Sequence, residues 1–201
     1  MKLKKIEING FKSFADKTQM QFHDGITCIV GPNGCGKSNV VDVTKWILGE
    51  QSVKSLRGKE MTDVIFNGTA TRKALGFAEA SMYVSNDDRL LPYDMDEVKV
   101  TRRVHRNGDG EYFINAKPVR LKDVKELFMD TGVGTKSYSV MEQGQIESFI
   151  NATSKDRRKL FEEAAGISRY KAKKEEASRK LEKVEQNLLR INDVIDEVEK
   201  Q

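Results

Sequence analysis

Eight consecutive residues, Gly31-Pro32-Asn33-Gly34-Cys35-Gly36-Lys37-Ser38, constrain this chain more than any other segment, because they satisfy G-x-x-x-x-G-K-[ST] at every fixed position. Such a loop needs a strand before it and a helix after it. The β-branched run at 26–30 predicts a buried strand, and 38–48 predicts a helix with Val40, Val41, Val43, Trp46, Ile47 and Leu48 as its apolar positions and Gly49 as its stop. Glycines let the backbone N–H groups turn inward around phosphates, and the helix N-terminus adds its partial positive charge to the same concavity. Lys37 would then reach the β- and γ-phosphates of ATP. The Ser38 hydroxyl would join water and phosphate oxygens around Mg²⁺. The expected nucleotide contacts run through Gly31, Pro32, Asn33, Gly34, Cys35, Gly36, Lys37, Ser38 and Asn39. A phosphate loop alone does not choose among kinases, GTPases, helicases and transporter-type ATPases.

Around this loop, alternating patterns predict strands at 2–9 and 18–22, joined through a turn-rich link, and further strands at 63–66, 77–85, 97–105 and 111–115. Asn107-Gly108-Asp109-Gly110 lies between the last two and reads as a hairpin turn. Pro118 precedes a short predicted helix at 121–129, closed by Gly132 and Gly134, and 138–141 is a further strand expectation. From about residue 154 the composition becomes charged and free of proline. Ala177, Leu181, Val184, Leu188, Ile191, Ile195 and Val198 are spaced alternately by four and three residues, a heptad seam that favours a left-handed coiled coil. The seam runs to the last residue without a stop signal, so the helix is expected to continue or to meet a partner segment.

A third of the residues are charged, 33%, and the mean hydropathy is -0.59, which suits one globular domain with a polar appendage. No apolar stretch approaches the roughly 20 residues of a membrane-spanning helix, and residues 1–8 lack a signal-peptide core. A soluble, cytoplasmic protein without a membrane partner is the expectation. Two cysteines, Cys28 and Cys35, are too few for a disulfide framework and wrongly spaced for zinc. Basic residues concentrate between Lys99 and Lys125, where eight Lys or Arg face three acidic residues. That excess is either a footprint for a phosphate-rich partner such as DNA or a solvated hairpin face.

Several motifs carry a more specific likeness. Gly10-Phe11-Lys12-Ser13-Phe14, Trp46-Ile47-Leu48-Gly49-Glu50-Gln51 and Ser55-Leu56-Arg57-Gly58 resemble the bacterial structural maintenance of chromosomes (SMC) family. The likeness continues through Glu111-Tyr112-Phe113-Ile114-Asn115, Asp130-Thr131-Gly132-Val133-Gly134, Glu142-Gln143-Gly144-Gln145-Ile146 and Phe161-Glu162-Glu163-Ala164-Ala165-Gly166-Ile167, in order over nearly the whole chain. The resemblance implies the N-terminal lobe of an ABC-type ATPase head: an α/β fold with an antiparallel β-subdomain at 1–153, then at 154–201 a helical neck that starts a long antiparallel coiled coil. It implies that Gln143 contacts Mg²⁺ and the attacking water. It also implies that Arg57 stands near the γ-phosphate, where a positive charge stabilises the transferring phosphoryl group. Lys12 and Ser13 match a first-strand segment near the nucleotide, while Phe11 and Phe14 are expected in the core. Arg102, Arg103 and Arg106 become candidates for sequence-independent contact with double-stranded DNA.

A complete ABC-type head also needs a Walker B strand ending in Asp-Glu, a signature loop and a switch histidine, and none occurs in a suitable context. Leu127-Phe128-Met129-Asp130 is the nearest imitation of Walker B, but it falls in a predicted helix and is followed by Thr131. In the SMC family those parts lie in a C-terminal lobe that returns along the coiled coil. The resemblance thus implies three protein partners: that lobe, a second head forming a homodimer around two ATP molecules, and a kleisin-type subunit. It also implies weak or no hydrolysis by this chain alone and a nucleoid-associated location. The competing readings are the head lobe of a related DNA-repair coiled-coil ATPase, a self-contained P-loop phosphotransferase and a non-catalytic docking module.

Overall fold

Alternation decides the first half of the chain. In β1 (Leu3–Asn9), Ile6 and Ile8 point to one face and are fully buried, while Lys5 and Glu7 point to the other and pair with each other. The same even-numbered phase buries Ala78, Ala80, Met82 and Val84 in β3 (Phe77–Ser85) and Val98, Val100 and Val104 in β4 (Glu97–His105). β2 (Thr18–Gln21), β5 (Gly110–Ile114) and β6 (Lys117–Val119) complete a six-stranded sheet in the order β2-β1-β3-β4-β5-β6, every neighbouring pair antiparallel. The register sets Ile6 against Met82 and Val100 against Ile114, so the apolar positions line up across the strands. This is a computed structural model describing residues 1–129, 131, 140–141, 145–154, 157–158, 161–162 and 167–200.

The apolar face of the sheet is covered by α1 (Lys37–Ile47), which buries Val40, Val43, Trp46 and Ile47 and leaves Val41 outside. Gly49 ends this helix at φ +99, a left-handed position that would penalise a side chain and that glycine adopts freely, and its N–H donates to the carbonyl of Trp46 at 3.1 Å. α2 (Leu121–Phe128) buries Val124, Leu127 and Phe128, the one-sided spacing of an amphipathic helix. α3 (Gln145–Ile150) follows. α4 (Ser168–Glu199) then runs for 32 residues, about 48 Å of helix at 1.5 Å per residue. Lys122 of α2 meets Glu176 of α4 at 2.6 Å. The seam residues Leu181, Val184, Leu188, Ile191, Ile195 and Val198 all stand exposed on α4, as a coiled-coil helix would present them to a partner.

Several local expectations are corrected. Residues 26–30 form no strand, and Ile26 and Val30 are 95% and 87% exposed. A run apolar on both faces needs strands on both sides, and none of the described residues pairs with it. Residues 63–66 are not a strand either: Met61–Val64 is a 3₁₀ helix, and Ile65 alone bridges to Phe11. The Asp63 carboxylate accepts the N–H groups of Lys59 and Glu60 at 2.7 and 3.0 Å, a local cap that competes with strand pairing. β6 went unforeseen because Pro118 argues against a strand; it is tolerated at the sheet edge, where no ladder N–H is required. The strand expected at 138–141 lies partly outside the described residues, and Val140 and Met141 are not strand.

Candidate nucleotide-binding site

Gly36 is the N-cap of α1 and sits at φ +97. A Cβ there would stand 2.7 Å from Oγ of Ser13, so a side chain would violate both the backbone and the packing of the 10–14 turn against the helix start. With no acidic residue in the first turn of α1, nothing opposes the partial positive charge of its N-terminus. The Lys37 ammonium donates to the carbonyls of Gly31 and Pro32 at 2.6 and 2.7 Å, which sets its charge against the loop. Ser38 is exposed beside it and able to face a phosphate-bound cation. A site built on phosphates plus one hydroxyl fits Mg²⁺, which keeps most of its shell as water and phosphate oxygen; among the described residues no cluster of three His, Cys, Asp or Glu offers another metal site.

Behind the loop, one hydrogen-bonded chain joins segments far apart in sequence. Asn39 Nδ2 donates to Ser13 Oγ at 2.8 Å, and Asn39 Oδ1 accepts Nη2 of Arg57 at 3.0 Å. Arg57 also donates to Oδ2 of Asp42, from Nη2 at 2.5 Å and Nε at 3.1 Å. The same Oδ2 accepts the Lys12 ammonium, which donates besides to the Leu56 carbonyl at 2.5 Å. Lys12, Ser13, Asn39 and Arg57 are therefore brought together next to the phosphate loop. Lys12 reaches Asp42 and not the loop itself. Gln143 lies outside the described residues.

Asp42 went unrecognised in the sequence. Its one signal is spacing: it follows Ser38 by four residues and Asn39 by three on a predicted helix, hence on their face. Lys45, also buried, continues that stripe and donates to Ser55 through its carbonyl at 2.7 Å and its hydroxyl at 3.0 Å, tying α1 to the segment that carries Arg57.

The basic stretch divides on the sheet. Arg102 occupies the core phase of β4, between Val100 and Val104, and is 3% exposed. Its Nη1 donates to the carbonyls of Trp46 and Glu50, both at 2.8 Å, and the guanidinium lies between the Trp46 and Tyr112 rings. Burial pushes its pKa down to about 10. A side chain spent in this way cannot reach a DNA phosphate. Arg103 points to the opposite face, where Glu79 and then Glu111 pair with it and hold its pKa above the ordinary value. Arg106 donates to the Leu75 and Phe66 carbonyls at 2.8 and 3.0 Å.

Residues 2–146 match the family model described as "RecF/RecN/SMC N terminal domain". A chromosome partition protein Smc of Rhodopirellula baltica is 59% identical over 196 residues, which are 98% of this chain and 16% of that protein. The chain thus spans about one sixth of this curated relative. A Smc head domain of Pyrococcus furiosus, solved with an extended coiled coil and bound to the C-terminal domain of ScpA, is 36% identical at a TM-score of 0.78 and covers 98% of this chain and 50% of its own. A structure from work on ATP-driven dimerization and DNA-stimulated activation of SMC ATPases is 34% identical at a TM-score of 0.73, over 81% of this chain and 99% of its own. With the phosphate loop and the antiparallel sheet both inside the matched residues, the chain belongs to the RecF/RecN/SMC N terminal domain family.

Proposed function

We propose that this chain is the N-terminal lobe of an SMC ATPase head, completed by a C-terminal lobe of the same protein and active as a dimer of heads. The observation that carries this reading is an incomplete half-site. The loop and Arg57 are linked through Asn39, yet the apolar run leading into the loop, with Ile26, Ile29 and Val30, lies open to solvent. A C-terminal lobe supplying the adjoining strand, with Walker B and signature segments, would cover it.

In this reading the loop N–H groups and the α1 N-terminus hold the phosphates, Lys37 neutralises the β- and γ-oxygens, and Ser38 with Gln143 ligates Mg²⁺. Mg²⁺ held there by Ser38 and Gln143 would withdraw charge from the phosphate oxygens. Arg57 faces the γ-phosphate as water attacks it. The domain division at 1–153 and 154–201, with the second part as neck and arm, belongs to the same proposal, as does a kleisin-type partner, in keeping with the ScpA-bound relative. DNA contact is sequence-independent and draws on Arg103 and Arg106 without Arg102. No helix among the described residues is long and apolar enough to cross a membrane, and a nucleoid-associated, cytoplasmic place suits the reading.

The test is Mg²⁺-dependent ATPase activity of this chain alone and mixed with the C-terminal lobe. Turnover only in the mixture, reduced by about 100-fold or more in Lys37→Ala, is expected. Equal turnover by the chain alone would refute the split site and favour a self-contained enzyme.

A further inference from the structure

We propose that Asp42 is a positioning residue for ATP hydrolysis that acts through Arg57, an inference resting on the nucleotide reading above. Asp42 is buried, 4% exposed, and one of its oxygens takes all three donors: Nζ of Lys12 and both Nε and Nη2 of Arg57. Two cations on one carboxylate leave a positive surplus beside the phosphate loop.

The two cations are held unequally. The Lys12 side chain is 14% exposed and has a second anchor in the Leu56 carbonyl, whereas that of Arg57 is 51% exposed. An incoming γ-phosphate can therefore draw the guanidinium outward while Lys12 keeps the carboxylate paired. Without Lys12, that movement would leave a buried charge uncompensated, at considerable cost. The backbone supports the same division. Lys12 and Arg57 sit at φ +48 and +56, left-handed values that only a well-determined surrounding holds in place, and both side chains end on the same oxygen of Asp42. Asn39 adds the link from Arg57 to Ser13, which packs on Gly36 at the mouth of the loop. Asp42 thus sets where the guanidinium stands relative to the α1 N-terminus without touching nucleotide itself.

The test is steady-state ATPase activity and fluorescent ATP binding of the complete head, wild type against Asp42→Asn, Arg57→Ala and the double variant. Asp42→Asn is expected to lower kcat by roughly 10- to 100-fold, the range that misplacing a catalytic group produces, with KM changed less than about twofold. Added to Arg57→Ala it should cost nothing further, because both changes remove the same interaction. If Arg57→Ala turns over at the wild-type rate, the assignment of Arg57 fails, and this inference with it. If Arg57→Ala is slow but Asp42→Asn is not, or if the two losses multiply, the Asp42 inference alone is overturned. Should Asp42→Asn misfold because Lys12 is left unpaired, Lys12→Met with Asp42→Asn removes both buried charges. That variant, folded by circular dichroism, is expected to keep the kcat loss, and a normal kcat in it would overturn the inference.

Discussion

Replacing Arg102 with methionine separates a structural arginine from a DNA-binding one. The change keeps most of the side-chain volume but removes two hydrogen bonds from a charged donor to the Trp46 and Glu50 carbonyls. Each such bond contributes roughly 1.5–3 kcal/mol. Loss of the contacts to the Trp46 and Tyr112 rings, at 4.8 and 5.0 Å, brings the total to about 5 kcal/mol. Against this stands the burial of the charge. A pKa of about 10 in place of 12.5 corresponds to about 3 kcal/mol, and Nε is buried without an acceptor among the described residues. The expected net loss is about 2 kcal/mol, or about 1 M in the urea midpoint for a slope of about 2 kcal/mol/M. Trp46 is the single tryptophan and lies against Arg102, so its fluorescence follows the unfolding directly. An unchanged or higher midpoint would refute the reasoning, since burial would then cancel the bonds. The salt dependence of DNA retention should be unaffected in Arg102→Met; a lower slope would restore this residue to the DNA surface.

Gly36→Ala is expected to weaken ATP binding by about tenfold or more and to destabilise the chain by roughly 1–2 kcal/mol, since it forces a side chain into a left-handed position and against Ser13. Titration with a fluorescent ATP analogue checks it, and an unchanged Kd would mean that the loop and the 10–14 turn are not coupled. Hydrogen bonds from Lys122 and then Lys180 hold the pKa of Glu176 at about 2, below its ordinary 4.5. Because the folded-state value is depressed, the contact of α2 with α4 is fully supported above pH 4.5 and is lost as the pH falls toward 2. A distance measured between spin labels on the two helices should broaden over that window. In Glu176→Gln it should already be broad at neutral pH, more so in low salt than in high relative to wild type.

Local spacing was enough to find the phosphate loop, α1, the strands β3 and β4 and the heptad seam, because each is determined by residues within one turn or one pleat of each other. The alternation Val98, Val100, Arg102, Val104 even held the information that Arg102 faces inward; reading the arginines as a count of charge concealed it. Motif order was also enough to suggest the family and to single out Arg57 beside the loop. Three matters depended on neighbours distant in the chain. Residues 26–30 have the composition of a buried strand, but burial requires flanking strands that the described residues do not provide. Pro118 enters β6 only because the sheet ends there. The meeting of Lys12 and Arg57 on one carboxylate oxygen of Asp42 arises from two segments packed against α1, and no periodicity within any one segment encodes it. Short-range sterics and helix electrostatics were thus legible in the residues alone, and with them the phosphate loop, α1, β3, β4 and the long C-terminal helix. Which charges are buried and which are paired came only from the packing of distant segments, because desolvation is a property of the assembled surroundings.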